Sequence, residues 1–409
     1  MKIAVDLHSH SGYAGGVGQI SLEDVSRTMK LKGIDVFGTG DCLFPPRTEE
    51  LKKSLKEVTT GLFSLPNDNK KFLLQTEVIF STRLKGYKNK TIAHHLIFFP
   101  DFASIDKLSL LMEKWQMKNT IGRPFIVSNN QKELEYQLYS IQAIDPLIEI
   151  LPAHVMTPDG IMGSKNNLKS IIEFYGNFTG NIHCIETGLS ADPEMLAMIP
   201  DFAELTMISN SDCHSAALNR IGREFTFINV TKIDYLSIIE ALRKNNVIAT
   251  VEFNPAEGRY YLTGHRNNRP HHTEPIIYSD EVPKDLICPV CNKKMLLGVK
   301  QRCNQLKDNT IKPKERKFIH LIPLIEVIAN SLGIKTLNSQ KVRAIFFEIM
   351  QIYDSEIQLW FSEDVKELLD KRVLPKTINS ILAVQKRNFF FEPPGYDGIY
   401  GNLIIGGNE

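Results

Sequence analysis

The sequence predicts an α/β domain with a mainly parallel sheet, then a small loop-rich module, then a helical C-terminal region. Three observations predict it. Short β-rich runs alternate with amphipathic helical stretches through residue 255. Gly, Pro, His and Asn then crowd residues 256–292, with little periodicity. From about His320 the apolar residues recur at helical spacing.

The runs expected as strands are Lys2–Leu7, Ile34–Gly38, Phe72–Phe80, Thr91–Phe99, Leu147–Ala153, Ile182–Thr187, Thr206–Ser209 and Val247–Phe253. β-Branched and aromatic residues fill them, as a half-buried pleated surface favours. Between them, helices are expected at Leu22–Lys32 behind a Ser21 cap, Glu49–Val58, Leu108–Lys118, Leu168–Tyr175 and Tyr235–Lys244. The C-terminal helices are expected at Leu321–Leu332, Lys341–Tyr353, Asp364–Leu369 and Thr377–Gln385, before a turn-rich tail, FFFEPPGYDGIYGNLIIGG. A chain of 409 residues exceeds one ordinary core. The expected units are therefore 1–255, 256–318 and 319–409.

Apolar residues make up 43% and charged residues 23%, a soluble globular balance. No apolar run of about 18 residues occurs, and MKIAVDLHSH lacks the features of a leader peptide. A cytoplasmic chain with no membrane partner is expected. The net charge of +1 excludes a polycation, but Lys293, Lys294, Lys300 and Arg302 open a basic stretch running to Lys317. Such a stretch suits a polyanion, or is simply a solvated face. Among six cysteines, Cys288 and Cys291 form a CxxC pair, which points to metal or redox chemistry.

The polar clusters fall at the ends of the expected strands, where closed α/β barrels carry their functional side chains. Asp6, His8 and His10 alternate along the first strand and its exit. A period of two points all three the same way. Asp212 and His214, in SNSDCHSA, offer two more ligands on one face. Glu77 sits in the apolar run LLQTEVIF, where a carboxylate is costly unless paired or metal-bound. His94 and His95 open the run before LIFFP, His154 follows LPA, and Asp41 lies in the turn GTGDC. Any one histidine is more often a satisfied core residue. Six such clusters together supply N and O ligands for two or three cations, with zinc, manganese or iron suited to the mixture. Paired cations stabilise both oxygens of an in-line phosphoryl displacement, so hydrolysis of a phosphate ester is the expected chemistry.

DLHSH, GTGDC, Glu77, His94-His95, His154 and DCH together resemble the PHP (polymerase and histidinol phosphatase) superfamily. The resemblance implies a distorted seven-stranded barrel. It implies one metal on His8, His10, Glu77 and Asp212, and a second on Glu77, His154 and His94 or His95, with His94 preferred. Two departures bear on a third metal. The stretch SGYAGGVG lacks the further histidine of many members, and Asp41 is followed by Cys42 rather than histidine. Asp41 and His214 either hold that metal with water or serve in proton transfer.

FNPAEGRYYLTGH, CPVC followed by MLLGV, and the terminal PGYDGIYG narrow the resemblance to the endonuclease Q family, from residue 1 to about 405. It implies a DNA-repair endonuclease cutting 5′ to a deaminated base (uracil, hypoxanthine or xanthine) or an abasic site, with base flipping. Asp41, Asp212 and His214 are then the catalytic candidates. Two or three Zn²⁺ ions are implied at the active site, with Mg²⁺ or Mn²⁺ for activity and one structural Zn²⁺ in the small module. For that module Cys288 and Cys291 supply half a tetrahedral site, with His265, His271 and His272 to complete a set of two cysteines and two histidines, or Cys303 to contribute; a degenerate finger without metal, held by packing, is an equal reading. DNA with deaminated bases is the implied partner, a replication sliding clamp a further one, and the chain is expected as a monomer. Tyr260, Tyr261, Tyr396 and Tyr400 are candidate stacking surfaces. Glu186 and Asp192 either line the site or cap structure. The alternative is a PHP phosphomonoesterase acting on a small metabolite; a third reading is a non-catalytic DNA-binding module.

Overall fold

The computed structural model describes residues 1–14, 20–370 and 372–406, so Gly15–Gln19 of the Gly-rich stretch lie outside the described residues. The strands are β1 (Lys2–Asp6), β2 (Val36–Gly38), β3 (Lys56–Thr59), β4 (Leu62–Ser64), β5 (Lys71–Thr82), β6 (Thr91–Phe99), β7 (Phe125–Val127), β8 (Glu149–Pro152), β9 (Cys184–Glu186), β10 (Thr206–Ile208), β11 (Phe225–Asn229) and β12 (Val247–Glu252). They continue as β13 (Thr263–His265), β14 (Ile276–Tyr278), β15 (Phe318–His320), β16 (Phe389–Phe391) and β17 (Leu403–Ile405).

The main sheet runs β15-β12-β11-β1-β2-β5-β4-β3, with β7 and β6 branching from β5 and β8 pairing with β6. It is mixed rather than mainly parallel. β1–β2, β2–β5, β5–β7 and β12–β15 are parallel, whereas β1–β11, β11–β12, β5–β6 and β6–β8 are antiparallel. The cause is connection length: the short link from β5 to β6 can only return antiparallel.

Among the described residues the ladder does not close into a ring. β9 and β10 pair only with each other, in parallel. Single backbone bonds bracket them. Val155 N–H donates to Glu186 O at 3.1 Å, just past β8, and His10 N–H donates to Cys213 O at 2.9 Å, just past β1.

Alternation along β1 sets two cores. Ala4 faces a large apolar cluster that also takes in Leu324, Val327 and Phe346 of the C-terminal helices, while Ile3 and Val5 face a second cluster with Ile238 and Leu242. The helix Leu22–Lys32 begins where Ser21 accepts from Asp24 N–H and ends at Gly33, φ +86°. A Cβ there would meet Ser355 Oγ at 2.8 Å, so glycine serves both the left-handed turn and the close approach. Lys32, at its end, pairs with Glu356 at 2.7 Å, both side chains buried, which ties this helix to Glu356–Trp360.

Several elements differ from expectation. Pro45 and Pro46 preset helical φ, so that helix is Pro45–Ser54 rather than Glu49–Val58, and the chain then enters β3. The helix Gln131–Gln142, capped by Asn130 and burying Leu134, Leu138 and Ile141, was not anticipated, nor was β11. The expected helix at Leu168–Tyr175 is only Ile172–Tyr175.

Candidate metal centre

Register explains which side chains meet. β5 and β6 place Ile79 opposite His94 and Val78 opposite His95. Glu77 shares a face with Ile79, so His94 looks toward Glu77 and His95 looks away. His94 Nδ1 lies 2.6 Å from Glu77 Oε1. His95 instead is fully buried, bonded to Tyr175 Oη at 2.6 Å and Ala93 O at 3.1 Å. Burial drops its pKa to about 3, so the ring is a neutral core residue. The expectation of His95 as a ligand is thus corrected.

Two groups of ligand atoms share Glu77: His8 with His10, and His94 with His154; a third group is His10, Asp212 and His214. Asp212 Oδ1 lies 3.5 Å from His8 Nε2 and 3.4 Å from both His10 Nε2 and His214 Nε2. On the other side, His10 Nε2 is 3.2 Å from Glu77 Oε2, and His154 Nε2 is 3.2 Å from Glu77 Oε1. Among the described residues, His8 Nε2 and Asp212 Oδ1 are buried with no hydrogen-bond partner. Two orphaned polar atoms converging with imidazoles and a second carboxylate suit divalent cations, which would satisfy them all.

Carboxylates behind the histidines fix which nitrogen faces inward. Glu186 stands 3.0 Å from His8 Nδ1, and Asp41 Oδ1 stands 3.1 Å from His10 Nδ1. Each leaves Nε2 for the centre, as the outer partners of metal-bound histidines do. Asp41, expected either to ligate a third metal or to serve in proton transfer, has its oxygens on His10 Nδ1 and on Ser11 N–H at 2.7 Å, an arrangement that orients His10. Asp6 does not share the face of His8. β1 ends there, and Asp6 accepts from Ser211 and Gly222 N–H, both at 2.9 Å. Burial raises its pKa to about 6. His154 Nδ1 meets Thr157 Oγ1 at 2.9 Å. Asp41, His154 and Asp212 all have positive φ, a cluster of strained backbone at one site. Gly188 makes room for one of them, since a Cβ there would lie 2.5 Å from His154 Cβ.

Burial works against every charge here, and the neighbours decide the outcome. The Glu186 and Asp212 carboxylates raise His8 to about 9 despite its burial. Burial pushes Glu77 up, but His94, His10 and His154 hold it well below the usual carboxylate range. Burial is likewise overcome at Asp212, by His8, His10 and His214.

The centre forms the floor of a cavity of about 600 Å³. Its walls carry Arg123, Arg220, Arg223, Arg259, Tyr260 and Tyr400. The Arg259 guanidinium sits 5.6 Å from the Tyr260 ring centre and 5.4 Å from that of Tyr400. Tyr396 is buried, and Tyr261 is not part of the lining. The arginines escaped the sequence reading: Arg123 lies in NTIGRP, a stretch with no periodicity to mark it.

In the small module, ligand atoms of His265, His272, Cys288 and Cys291 all lie within 4.8 Å of one another. Cys288 Sγ is 3.3 Å from His272 Nε2, and Cys291 Sγ is 3.3 Å from His265 Nδ1. His271, expected in this set, is exposed with φ +65°; that turn sends it out and its neighbour His272 in. Cys303 is elsewhere, buried in the helix Val299–Leu306. Of the basic candidates, Lys293 and Lys294 are exposed and Lys300 pairs with Asp280 at 3.1 Å. Arg302 is corrected: it is buried and donates to Met162 O and Leu168 O, so it braces the chain. Asp192 caps the helix Pro193–Leu196.

No family model matches the sequence. An uncharacterised protein of Methanocaldococcus jannaschii is 32% identical over 245 residues, which is 58% of this chain; the match spans only 30% of that relative's length. The uncharacterised protein YqxK of Bacillus subtilis is 26% identical over 98% of this chain and 99% of its own. The crystal structure of a lesion-specific endonuclease from Pyrococcus furiosus superposes with a TM-score of 0.82 at 27% identity, covering 99% of this chain and 96% of that one. A structure of endonuclease Q with a 27-mer duplex carrying an abasic lesion at its active site gives 0.83 at 27% identity, covering 99% and 97%. Nearly the whole chain is therefore similar in sequence and structure to endonuclease Q.

Proposed function

We propose that this chain is a DNA-repair endonuclease that hydrolyses the phosphodiester 5′ to a deaminated base or an abasic site. The observation that carries the reading is that three linked ligand groups, built on His8, His10, Glu77, His94, His154, Asp212 and His214, meet an arginine-walled cavity lined by His94, His154, Asp212 and His214. The similarity to a lesion-bound endonuclease supports it. We read β1, β2, β5, β6, β8, β9 and β10 as the distorted seven-stranded barrel, with the two single-bond contacts as its weak seams.

His8, His10, Glu77 and Asp212 would hold one cation, Glu77, His94 and His154 a second, and His10, Asp212 and His214 a third. Bound zinc, manganese or magnesium would polarise the phosphate and supply hydroxide at neutral pH. The chain's own residues do the rest. The new bond joins a water oxygen to phosphorus, and the bond to the 3′ oxygen breaks. With only two cations bound, His214, half exposed at the cavity edge, would instead be free to deliver the proton to that leaving oxygen. Tyr260 and Tyr400 offer flat faces for an extruded base or its neighbour. Exposed Lys293 and Lys294 would grip backbone phosphates without regard to sequence. His265, His272, Cys288 and Cys291 would hold a structural Zn²⁺. The reading takes the chain as a cytoplasmic monomer, with a sliding clamp as a further partner.

The test is nicking of a labelled duplex carrying one uracil, hypoxanthine or abasic site, with Mn²⁺ or Mg²⁺, beside an undamaged duplex and the Asp212→Ala protein. A cut 5′ to the lesion, missing from both controls, is expected. No cut on any lesion with any metal removes the reading, and turnover of phosphomonoesters instead would favour the metabolite phosphatase.

A further inference from the structure

The four cavity arginines are not equivalent. Arg223 is spoken for by the protein itself, its Nε donating to Ser211 O at 2.9 Å. Arg259 lies against two tyrosine rings. Arg123 differs from the other three: its acidic neighbour is a candidate metal ligand. Among the described residues its one ion pair is with Glu77, Nη1 to Oε2 at 3.3 Å, and its Nε is buried without a partner. Glu77 is the carboxylate that two ligand groups share. Once its oxygens serve cations, the guanidinium beside it keeps donors directed at the floor of the cavity.

The placement is built in. Gly122 N–H donates to Tyr13 O at 3.0 Å, and Ile79 N–H, on β5, donates to Pro124 O at 2.9 Å, so both neighbours of Arg123 are anchored. Gly122 packs directly on Asp41: a Cβ there would lie 2.6 Å from Asp41 Cγ. The carboxylate that orients His10 thus also seats the loop that carries Arg123. A planar guanidinium matches the non-bridging oxygens of a phosphate, and donors fixed in advance are worth most where charge grows during reaction.

We propose that Arg123 is a catalytic residue that donates from its guanidinium to a non-bridging oxygen of the scissile phosphodiester. The inference rests on the diester reading above and deepens it. It is tested with Arg123→Gln and Arg123→Lys, each loaded with metal. Single-turnover cleavage is measured on an abasic duplex and on bis(4-nitrophenyl) phosphate. Duplex affinity is measured in EDTA by fluorescence anisotropy, and metal per chain by mass spectrometry. Arg123→Gln is expected to slow cleavage of both substrates about 100-fold, with affinity and metal content within about threefold of the wild type. Arg123→Lys, or guanidinium ion added to Arg123→Gly, is expected to recover part of the rate. Cleavage by Arg123→Gln within about threefold of the wild type overturns the proposal. So does a loss of rate that tracks loss of metal, which would make Arg123 a mere prop for Glu77. A wild type that cleaves the generic diester but no lesion duplex overturns the repair reading alone, and Arg123 is then judged on the generic diester.

Discussion

His8 and His10 present the same ring nitrogen to the centre because each has a carboxylate behind it. Glu186 is the clearer case, since it also accepts from Asn210 Nδ2 and His154 N–H, both at 2.9 Å, and so links three segments of the site. Glu186→Gln should fold but release His8 from its tautomer. We expect metal affinity and nicking to fall about 10- to 100-fold, read by metal titration beside the nicking assay. In the small module, neighbouring histidines should differ sharply. His272→Ala should abolish zinc retention and open residues 256–292 to protease, while His271→Ala should change neither, as zinc content and limited proteolysis would report.

At the scale of elements, the buried pair Lys32–Glu356 joins the first helix to the C-terminal region. Glu356 also accepts from Leu324 N–H at 2.8 Å and Trp360 Nε1 at 3.2 Å. Glu356→Leu should cost roughly 3–5 kcal/mol by leaving Lys32 charged and unpaired, and Lys32→Met in the same chain should recover much of it. Urea unfolding of the single and double variants checks this. Elements also show what could be read in advance. His8, His10, Glu77 and Asp212 were legible because ligand chemistry is written in residue type and strand position. The choice between His94 and His95 needed the β5–β6 register, which no local pattern carries. Asp6 and Asp41 looked like ligands because a carboxylate that orients and one that ligates are the same residue in a sequence. The helix Gln131–Gln142 did have a legible stripe in Leu134, Leu138 and Ile141. Arg123 had no signal at all: its position comes from a loop packed on Asp41.

For the whole molecule, pH should act through buried carboxyls away from the metal centre. Glu252 accepts from Thr187 Oγ1 at 2.9 Å and Ser209 Oγ at 3.0 Å, but its other oxygen has no partner among the described residues. Burial raises its pKa from 4.5 to about 7, and Glu224 nearby is raised as well, by burial and by Glu252. A carboxyl raised on folding favours the native state below pH 4.5, and that contribution is lost as pH climbs through about 7. Glu252→Gln should therefore gain up to about 3 kcal/mol over the wild type at pH 8 and little at pH 4.5, as urea midpoints at the two pH values would show. The C-terminal tail closes the same structure. Gly395 N–H donates to Ala256 O at 2.7 Å and Gly401 N–H to Glu257 O at 2.9 Å, holding Tyr400 at the cavity wall. On the ribosome, then, the ligands from His8 to His214 are synthesised well before the segment around Tyr400 that completes the wall of the cavity. A nascent chain would carry the chemistry before it carries the grip.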